Sequence, residues 1–324
     1  MLEKYIKSKR KRYIMRRVLK AIPVILIATL IAFLMMRVGG ADPARRKYGA
    51  EASEDLIEDF NEEHGLDKPL HEQYISWFTG LFKGELGTSM RYERPVSDLV
   101  WARMPITIQL MGLALLISII VGVSMGVLGA LKHNTWIDYL ATIEALFWRS
   151  IPSFWAGTIF LLVFAFRLDL FPIGGHPGGW GGLYYLILPA SVLGLRLQAI
   201  IARLTRSSML SVLNRDYIKS AKTKGLKKRV VIFKHALRNA LIPVVTVIAM
   251  RLPWLFGGAM VTEQIFNLAG MGRLLLEGIH SRDFIMVQSV VLLITIIAVV
   301  ANLLADVSYT FVDPRIELES SEEG

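Results

Sequence analysis

Four charged residues stand inside apolar stretches, where charge is costly: Glu144, Arg149, Arg196 and Arg251. An intramembrane charge persists when it is paired, wetted or used, so each is a candidate for lining a polar translocation pathway. Glu144 lies six residues past Asp138 and Arg196 seven before Arg203, about 9 Å and about 10 Å along a helix. Both reach toward an interface, whereas Arg149 and Arg251 lie deeper. Other chemistry is missing from the sequence. Without cysteine there is no thiolate nucleophile, thiolate metal site or disulfide. The 6 histidines lack metal-ligand spacing, and no H-E-x-x-H occurs. Neither a G-x-S-x-G elbow nor a G-x-x-x-x-G-K-[ST] phosphate loop is present. The reading is a chain with no catalytic residues, no metal site and no cofactor of its own. A membrane-embedded enzyme would lack its nucleophile–base constellation, which leaves transport, a channel or a structural role.

The elements that must position these charges are spanning helices. Of the 324 residues, 53% are hydrophobic, the mean hydropathy is +0.46, and the apolar residues fall in long runs. About 20 mostly apolar residues cross roughly 30 Å of hydrocarbon. Six segments qualify: Ala21–Met36, one within Met104–Leu131, one within Tyr139–Phe166 interrupted by Glu144, Arg149 and Pro152, then Leu183–Ile201, Ala240–Val261 and Phe284–Ala305. The prediction is an all-α, polytopic integral membrane protein with six transmembrane helices. The first run exceeds a leader's apolar region and no small-x-small site follows cleanly, which favours a retained span over a cleavable signal.

Loop charge sets the orientation. Residues 1–20 hold nine Lys/Arg and one acid, and residues 203–239 hold eleven and one acid, Asp216. Residues 39–103 hold eight basic and thirteen acidic residues. The first two segments are expected in the cytoplasm and the third outside, with both termini inside a cell (inner or cytoplasmic) membrane. The net charge of +10 is then accounted for by loops facing the cytoplasm, and nucleic acid is not needed as a partner. The expected organisation is a basic N-terminus at 1–20, a first span at 21–38, an extracytoplasmic helical insertion at 39–103, a five-helix core at 104–311 and a cytoplasmic tail at 312–324. Within the insertion, Ala52–His64 reads as an amphipathic helix with Ser53 as N-cap and Gly65 closing it. Pro69–Phe82 reads as a second, with Tyr74, Trp77, Phe78, Leu81 and Phe82 along one side. Gly174–Gly182 is a flexible outer loop.

The most informative segment is Asp216–Pro243, DYIKSAKTKGLKKRVVIFKHALRNALIP. It reads as a helix over Tyr217–Lys224, a stop at Gly225 and a second helix entering the fifth span. Glycine takes the positive φ that ends a helix sharply. Asp216 complements the helix dipole, and Ala221 is small enough to let the helix lie close against a partner's groove. The segment resembles the coupling loop of ABC importer permeases. Aligned on Gly225, Ala221 and Leu237 also match the general EAA pattern, while Lys219, Ser220, His235 and Arg238 depart from it. Those departures resemble the dipeptide/oligopeptide branch, which Asp216, Tyr217, Ala221, Lys224, Gly225, Leu226, Phe233, His235, Arg238 and Asn239 all fit.

Further segments resemble the same branch: Ala41–Ala44 (with Ala41 where glycine is usual), Gly65–Pro69, Gly84–Ser89, Gly257–Gly272 and Asn302–Arg315. The order of motifs resembles the first of the two permeases such systems encode. The resemblance implies the ABC importer type I permease fold and a place in an ATP-driven importer, most readily of di- or oligopeptides. Oligosaccharides, nickel and other small solutes are alternatives within the family. It implies a second homologous permease subunit, two cytoplasmic ABC ATPase subunits that use ATP and Mg, and an extracytoplasmic substrate-binding protein, all around a lipid bilayer. An ion-driven secondary transporter is the rival. It predicts inverted repeats and ion-binding carboxylates, and the sequence shows no clear repeat.

Overall fold

A computed structural model describes residues 2–38, 42–49, 51–178, 180 and 182–312, with side chains from Met15 to Leu303 apart from Arg17. Among the described residues the regular structure is helical: α1 Leu2–Val38, α2 Pro43–Tyr48, α3 Glu54–Glu63, α4 Leu70–Leu81, α5 Val96–Leu131, α6 Trp136–Ser150, α7 Ser153–Phe160, α8 Leu183–Leu213, α9 Asp216–Thr223, α10 Lys228–Val230, α11 Arg238–Ala240, α12 Ile242–Ile265, α13 Met271–Ser281 and α14 Phe284–Val312. π-Helical segments Leu161–Arg167 and Val231–Leu237 extend α7 and join α10 to α11. Five helices are long and apolar enough to cross a membrane, and the α6–α7 pair makes a sixth when its halves count as one span. That pair bends by 102°. Proline has no N–H to donate and pushes its predecessor out of the helical region, and Ile151, just before Pro152, is extended at φ −78°, ψ 129°.

Several sequence-based boundaries move. α5 starts at Val96, ahead of Met104, and α8 runs on to Leu213, well past Ile201. Arg203 and Arg206, read from sequence as loop charges, therefore stand on a helix: a spanning helix keeps its backbone bonds where it leaves the apolar layer, and charge marks only the change of solvent. Ala41 and the Asp313–Arg315 end of the last motif lie outside the described residues.

The chain forms two compact units. The first comprises Met1–Thr107, Gly178–Trp180 and Ala269–Val299. Here the insertion packs as helices rather than hanging as a tether. Asp42 caps α2 by accepting from Arg45 N at 3.0 Å, and Ser53 caps α3 through Leu56 N at 3.4 Å. Ile57 and Phe60 of α3 bury with Ala44, Met90 and Phe284. α4 lies on α1: the Tyr74 ring is 5.2 Å from Phe33 and its hydroxyl 3.0 Å from Thr29 Oγ1. Trp77 Nε1 donates to Ser289 Oγ of α14 at 3.3 Å. The expected aromatic stripe breaks at its end, because α4 stops at Leu81 and Phe82 is 80% exposed. Asp283, nearly fully buried, accepts from Ser89 Oγ, from Arg91 N at 3.1 Å and from Met286 N at 3.0 Å, so one carboxylate caps α14 and pins the insertion.

The second unit comprises Ile108–Pro177, Gly181–Leu268 and Val300–Gly324. α8 is its axis, packing on α6, α7 and α12. α5 crosses α8 through glycines. A Cβ on Gly126 would lie 2.5 Å from Thr205 Cβ and 2.6 Å from the Ala202 carbonyl oxygen. On Gly194 it would lie 2.6 Å from the Ala114 carbonyl oxygen. Small residues let helix backbones approach where lipid offers no hydrophobic drive to associate.

Candidate functional site: the coupling segment and its roots

α9 is built to be anchored on one side and open on the other. Ile218 is fully buried and Ala221 nearly so. They enter an apolar cluster with Val127 and Ala130 of α5, Met209 of α8, and Val231, Ile232, Ala236 and Ala240 from the helical run that follows. Residues three apart share a helix face, so Ile218 and Ala221 turn inward together. Their neighbours Asp216, Tyr217, Lys219, Ser220 and Lys222 turn outward. The small side chain of Ala221 packs inside this chain, in the same cluster as Ile218. Asp216 sits in the first turn as expected, and its carboxylate meets Lys219 Nζ at 3.0 Å. With both side chains exposed, that pair adds little stability.

The stop after α9 is a double hydrogen-bonded cap. Gly225 N donates to Lys222 O at 3.0 Å and Leu226 N donates to Ala221 O at 3.4 Å, around Gly225 at φ +74°. This is the paired bonding that satisfies the last carbonyls of a helix when a left-handed residue follows it. Nothing lies within 4 Å of where a Gly225 Cβ would be, so glycine is required here by backbone conformation and not by crowding. Lys224 and Leu226 flank the turn in solvent. Beyond it the chain is helical again from Lys228, as expected, and Val231, Ile232 and Ala236 return to the cluster. His235 is half-buried and Arg238 exposed, and Asn239 Nδ2 donates to His235 O at 2.7 Å. The outward surface thus offers Tyr217, Leu226 and Phe233 among Lys222, Lys224 and Arg238.

Beside this cluster lies a feature that sequence reading missed. Asp138, 2% exposed at the start of α6, accepts from Arg206 Nη2 at 2.6 Å and from Arg206 Nε. It also accepts from Asn134 N at 3.0 Å, and His133 Nδ1 lies 3.1 Å away. The only local signal was the turn before α6, where Asn134 takes φ 60°.

The four intramembrane charges do not converge on one point. Glu144 accepts from Gln198 Nε2 at 2.6 Å. Its other oxygen, Gln198 Oε1 and Thr205 Oγ1 are buried without a hydrogen-bond partner. Arg149 shares a cavity with Arg203 and Arg206. The Arg196 guanidinium lies over the Trp254 ring, 5.5 Å from its centre, a cation–π contact that eases its burial. Arg251 is exposed on α12. Glu263, on the same helix, is fully buried and was not singled out from sequence, although it falls within Gly257–Gly272. Among the described residues no group of three or more His, Cys, Asp or Glu is arranged to hold a metal.

Comparison with known proteins gives this geometry a family. Residues 118–318 match the binding-protein-dependent transport system inner membrane component family, and residues 10–111 match its N-terminal region. The oligopeptide transport system permease protein AppB of Bacillus subtilis is 38% identical over 312 residues, covering 94% of this chain and 99% of that protein. The dipeptide transport system permease protein DppB of Alkalihalophilus pseudofirmus is 39% identical over 329 residues, again covering 94% and 99%. The glutathione transport system permease protein GsiC of Pectobacterium atrosepticum is 37% identical over 304 residues, covering 94% and 98%. The chain belongs to the binding-protein-dependent transport system inner membrane component family, as a multi-pass permease subunit of an ABC importer.

Proposed function

We propose that the chain forms half of the translocation pathway for di- or oligopeptides, paired with a second permease, fed from outside by a binding protein and driven by two cytoplasmic ATPases. The observation that carries this reading is the two-sided coupling segment: Ile218 and Ala221 of α9 rooted among α5 and α8, with Tyr217 of α9 and, beyond it, Leu226 and Phe233 left bare in a basic surround. A partner that grips the bare side moves the rooted side with it. ATP-driven closure of the ATPases would then displace α9, and α5 and α8 would shift between inward- and outward-open populations. The loop charges support both termini and 203–239 in the cytoplasm, with 39–103 outside. Arg251 and Arg196 are the pathway candidates on α12 and α8, and Glu144, which accepts from Gln198, is the candidate on α6. Peptides are favoured because the relatives at 37–39% identity carry oligopeptide, dipeptide and glutathione names.

The test is ATP hydrolysis and peptide uptake by the complex reconstituted in vesicles, stimulated by loaded binding protein. Tyr217→Ala with Phe233→Ser should leave the permease inserted and folded but release the ATPases. Full stimulated hydrolysis by that variant would remove α9 as the docking element.

A further inference from the structure

Arg149, Arg203 and Arg206 line a cavity of about 180 Å³ between α5, α6 and α8. The rest of its wall is small or apolar: Gly126, Ala141, Ala145, Ala199 and Ala202 are what leave the space open. No carboxylate lines it. Arg206 is answered by Asp138, whereas Arg149 and Arg203 meet no carboxylate within ion-pair distance among the described residues. Both residues are exposed, so two guanidinium groups border one space without a carboxylate, on helices apolar enough to span a membrane. That arrangement is costly unless an anion or water fills it.

Position and surroundings specify the anion. Arg206 lies level with Asp138, at the end of α6 nearest α9, and Arg203 is three residues deeper, about 4.5 Å along α8. The cavity thus runs inward from the level of Arg206, in the leaflet on the α9 side, towards the deeper Arg149. Leu146 forms part of its wall and also part of the wall of a second, larger space of about 630 Å³. That space is an apolar groove lined by Ile143, Phe147, Ile151, Phe154 and Trp155, running to the α6–α7 bend. A guanidinium-lined pocket that shares the Leu146 wall with an apolar groove complements a molecule with an anionic head and hydrocarbon tails. Inorganic phosphate would use the pocket alone, and a neighbouring apolar helix would fill the groove while leaving both guanidinium groups unanswered. At about 30 Å³ per water the pocket has the room of about six waters, enough for one phosphodiester, and planar guanidinium forks suit its oxygens.

We infer that this is a binding site for an anionic phospholipid: its phosphate lies between Arg149 and Arg203, and its acyl chains lie in the groove beyond Leu146. Arg149 is thereby assigned to the lipid and not to the transported solute. The site holds whatever the transported solute is.

The experiment is native mass spectrometry of the full chain in its assembled complex, exchanged into phosphatidylglycerol, phosphatidylcholine or inorganic phosphate. Wild type should retain phosphatidylglycerol under activation that strips phosphatidylcholine. Arg149→Gln with Arg203→Gln should lower that retention by about tenfold or more, the scale of losing charged hydrogen bonds. Arg149→Lys with Arg203→Lys should keep most of it, and Leu146→Trp should weaken it by blocking the junction. Equal retention by the Gln pair, displacement of the lipid by inorganic phosphate, or crosslinking of a photoreactive residue at Phe147 to another subunit instead of lipid would each overturn the site. If the Gln pair fails to assemble, head-group selectivity of wild type against the Lys pair and Leu146→Trp decides.

Discussion

Arg206 holds Asp138 with two guanidinium nitrogens across 68 positions of sequence. The pair ties the end of α8 to the start of α6, and Asp138 is almost fully buried. Removing Asp138 leaves the partly exposed Arg206 without its charged hydrogen bonds, at a cost of about 1.5–3 kcal/mol. Asp138→Ala should therefore lower the thermal midpoint of the purified complex more than Asp138→Asn with Arg206→Gln, which leaves no stranded charge. Differential scanning fluorimetry in detergent reads this ordering, and the reverse ordering would show that Arg206 left alone carries no penalty.

At Gly225 the absence of crowding separates strain from collision. Gly225→Ala should cost about 1 kcal/mol through its positive φ alone, with partial loss of coupling. Gly225→Val should be worse, because a β-branched residue resists that conformation. Ala221→Glu acts differently: it drives a carboxylate into the cluster of Ile218 and Met209, so it should reduce assembled complex on the membrane and not merely uncouple hydrolysis. Quantified complex per vesicle, set beside stimulated hydrolysis, separates the two classes. Normal assembly of Ala221→Glu would mean α9 is less firmly rooted than described.

Arg251 is exposed on α12, and bare charge against lipid is costly. Arg251→Leu should cut peptide uptake while complex assembly and ATPase association persist, whereas Arg251→Lys should keep a measurable fraction of uptake. Uptake by the Leu variant equal to wild type would leave the residue without a role in the pathway.

Tyr92 supplies a pH signature in the insertion. Burial first, then its bond to Glu277 Oε2 at 3.0 Å, raises its hydroxyl above the ordinary value of 10.0. The folded state therefore keeps the proton longer than the unfolded chain. The contribution is fully present below pH 10.0 and fades as pH rises through the higher folded value. Tyr92→Phe, which loses the bond to Glu277 Oε2, should lower the neutral thermal midpoint slightly and flatten its alkaline fall. An identical alkaline profile in the variant would exclude Tyr92 as the titrating group.

What sequence alone could reveal divides by range. Gly225, Ser53 and the Pro152 break were legible because each acts through its own backbone within a turn or so of chain. The family likeness was legible because the coupling segment is contiguous. Asp138 with Arg206, and Gly126 with Thr205, were not, because only the tertiary crossing of helices brings them together. The inward turn of Ala221 had a usable sign, the apolar pair Ile218 and Ala221 three positions apart in a polar helix. The length of α8 was misjudged because Arg203 and Arg206 mark where the solvent changes, not where the helix ends. The intramembrane charges were legible one by one, but Gln198 and Trp254, which Glu144 and Arg196 meet, lie on other helices.

The crossing at Gly126 also limits how this chain can drift over evolutionary time. With Thr205 and the Ala202 carbonyl already at contact, a methyl gained at position 126 has no room unless bulk is lost opposite in the same lineage. Single-step variation there is closed, while the bare rim of α9 has no such neighbour within this chain to restrain it. Divergent copies of this permease should therefore differ first where they touch other subunits, and last where α5 meets α8.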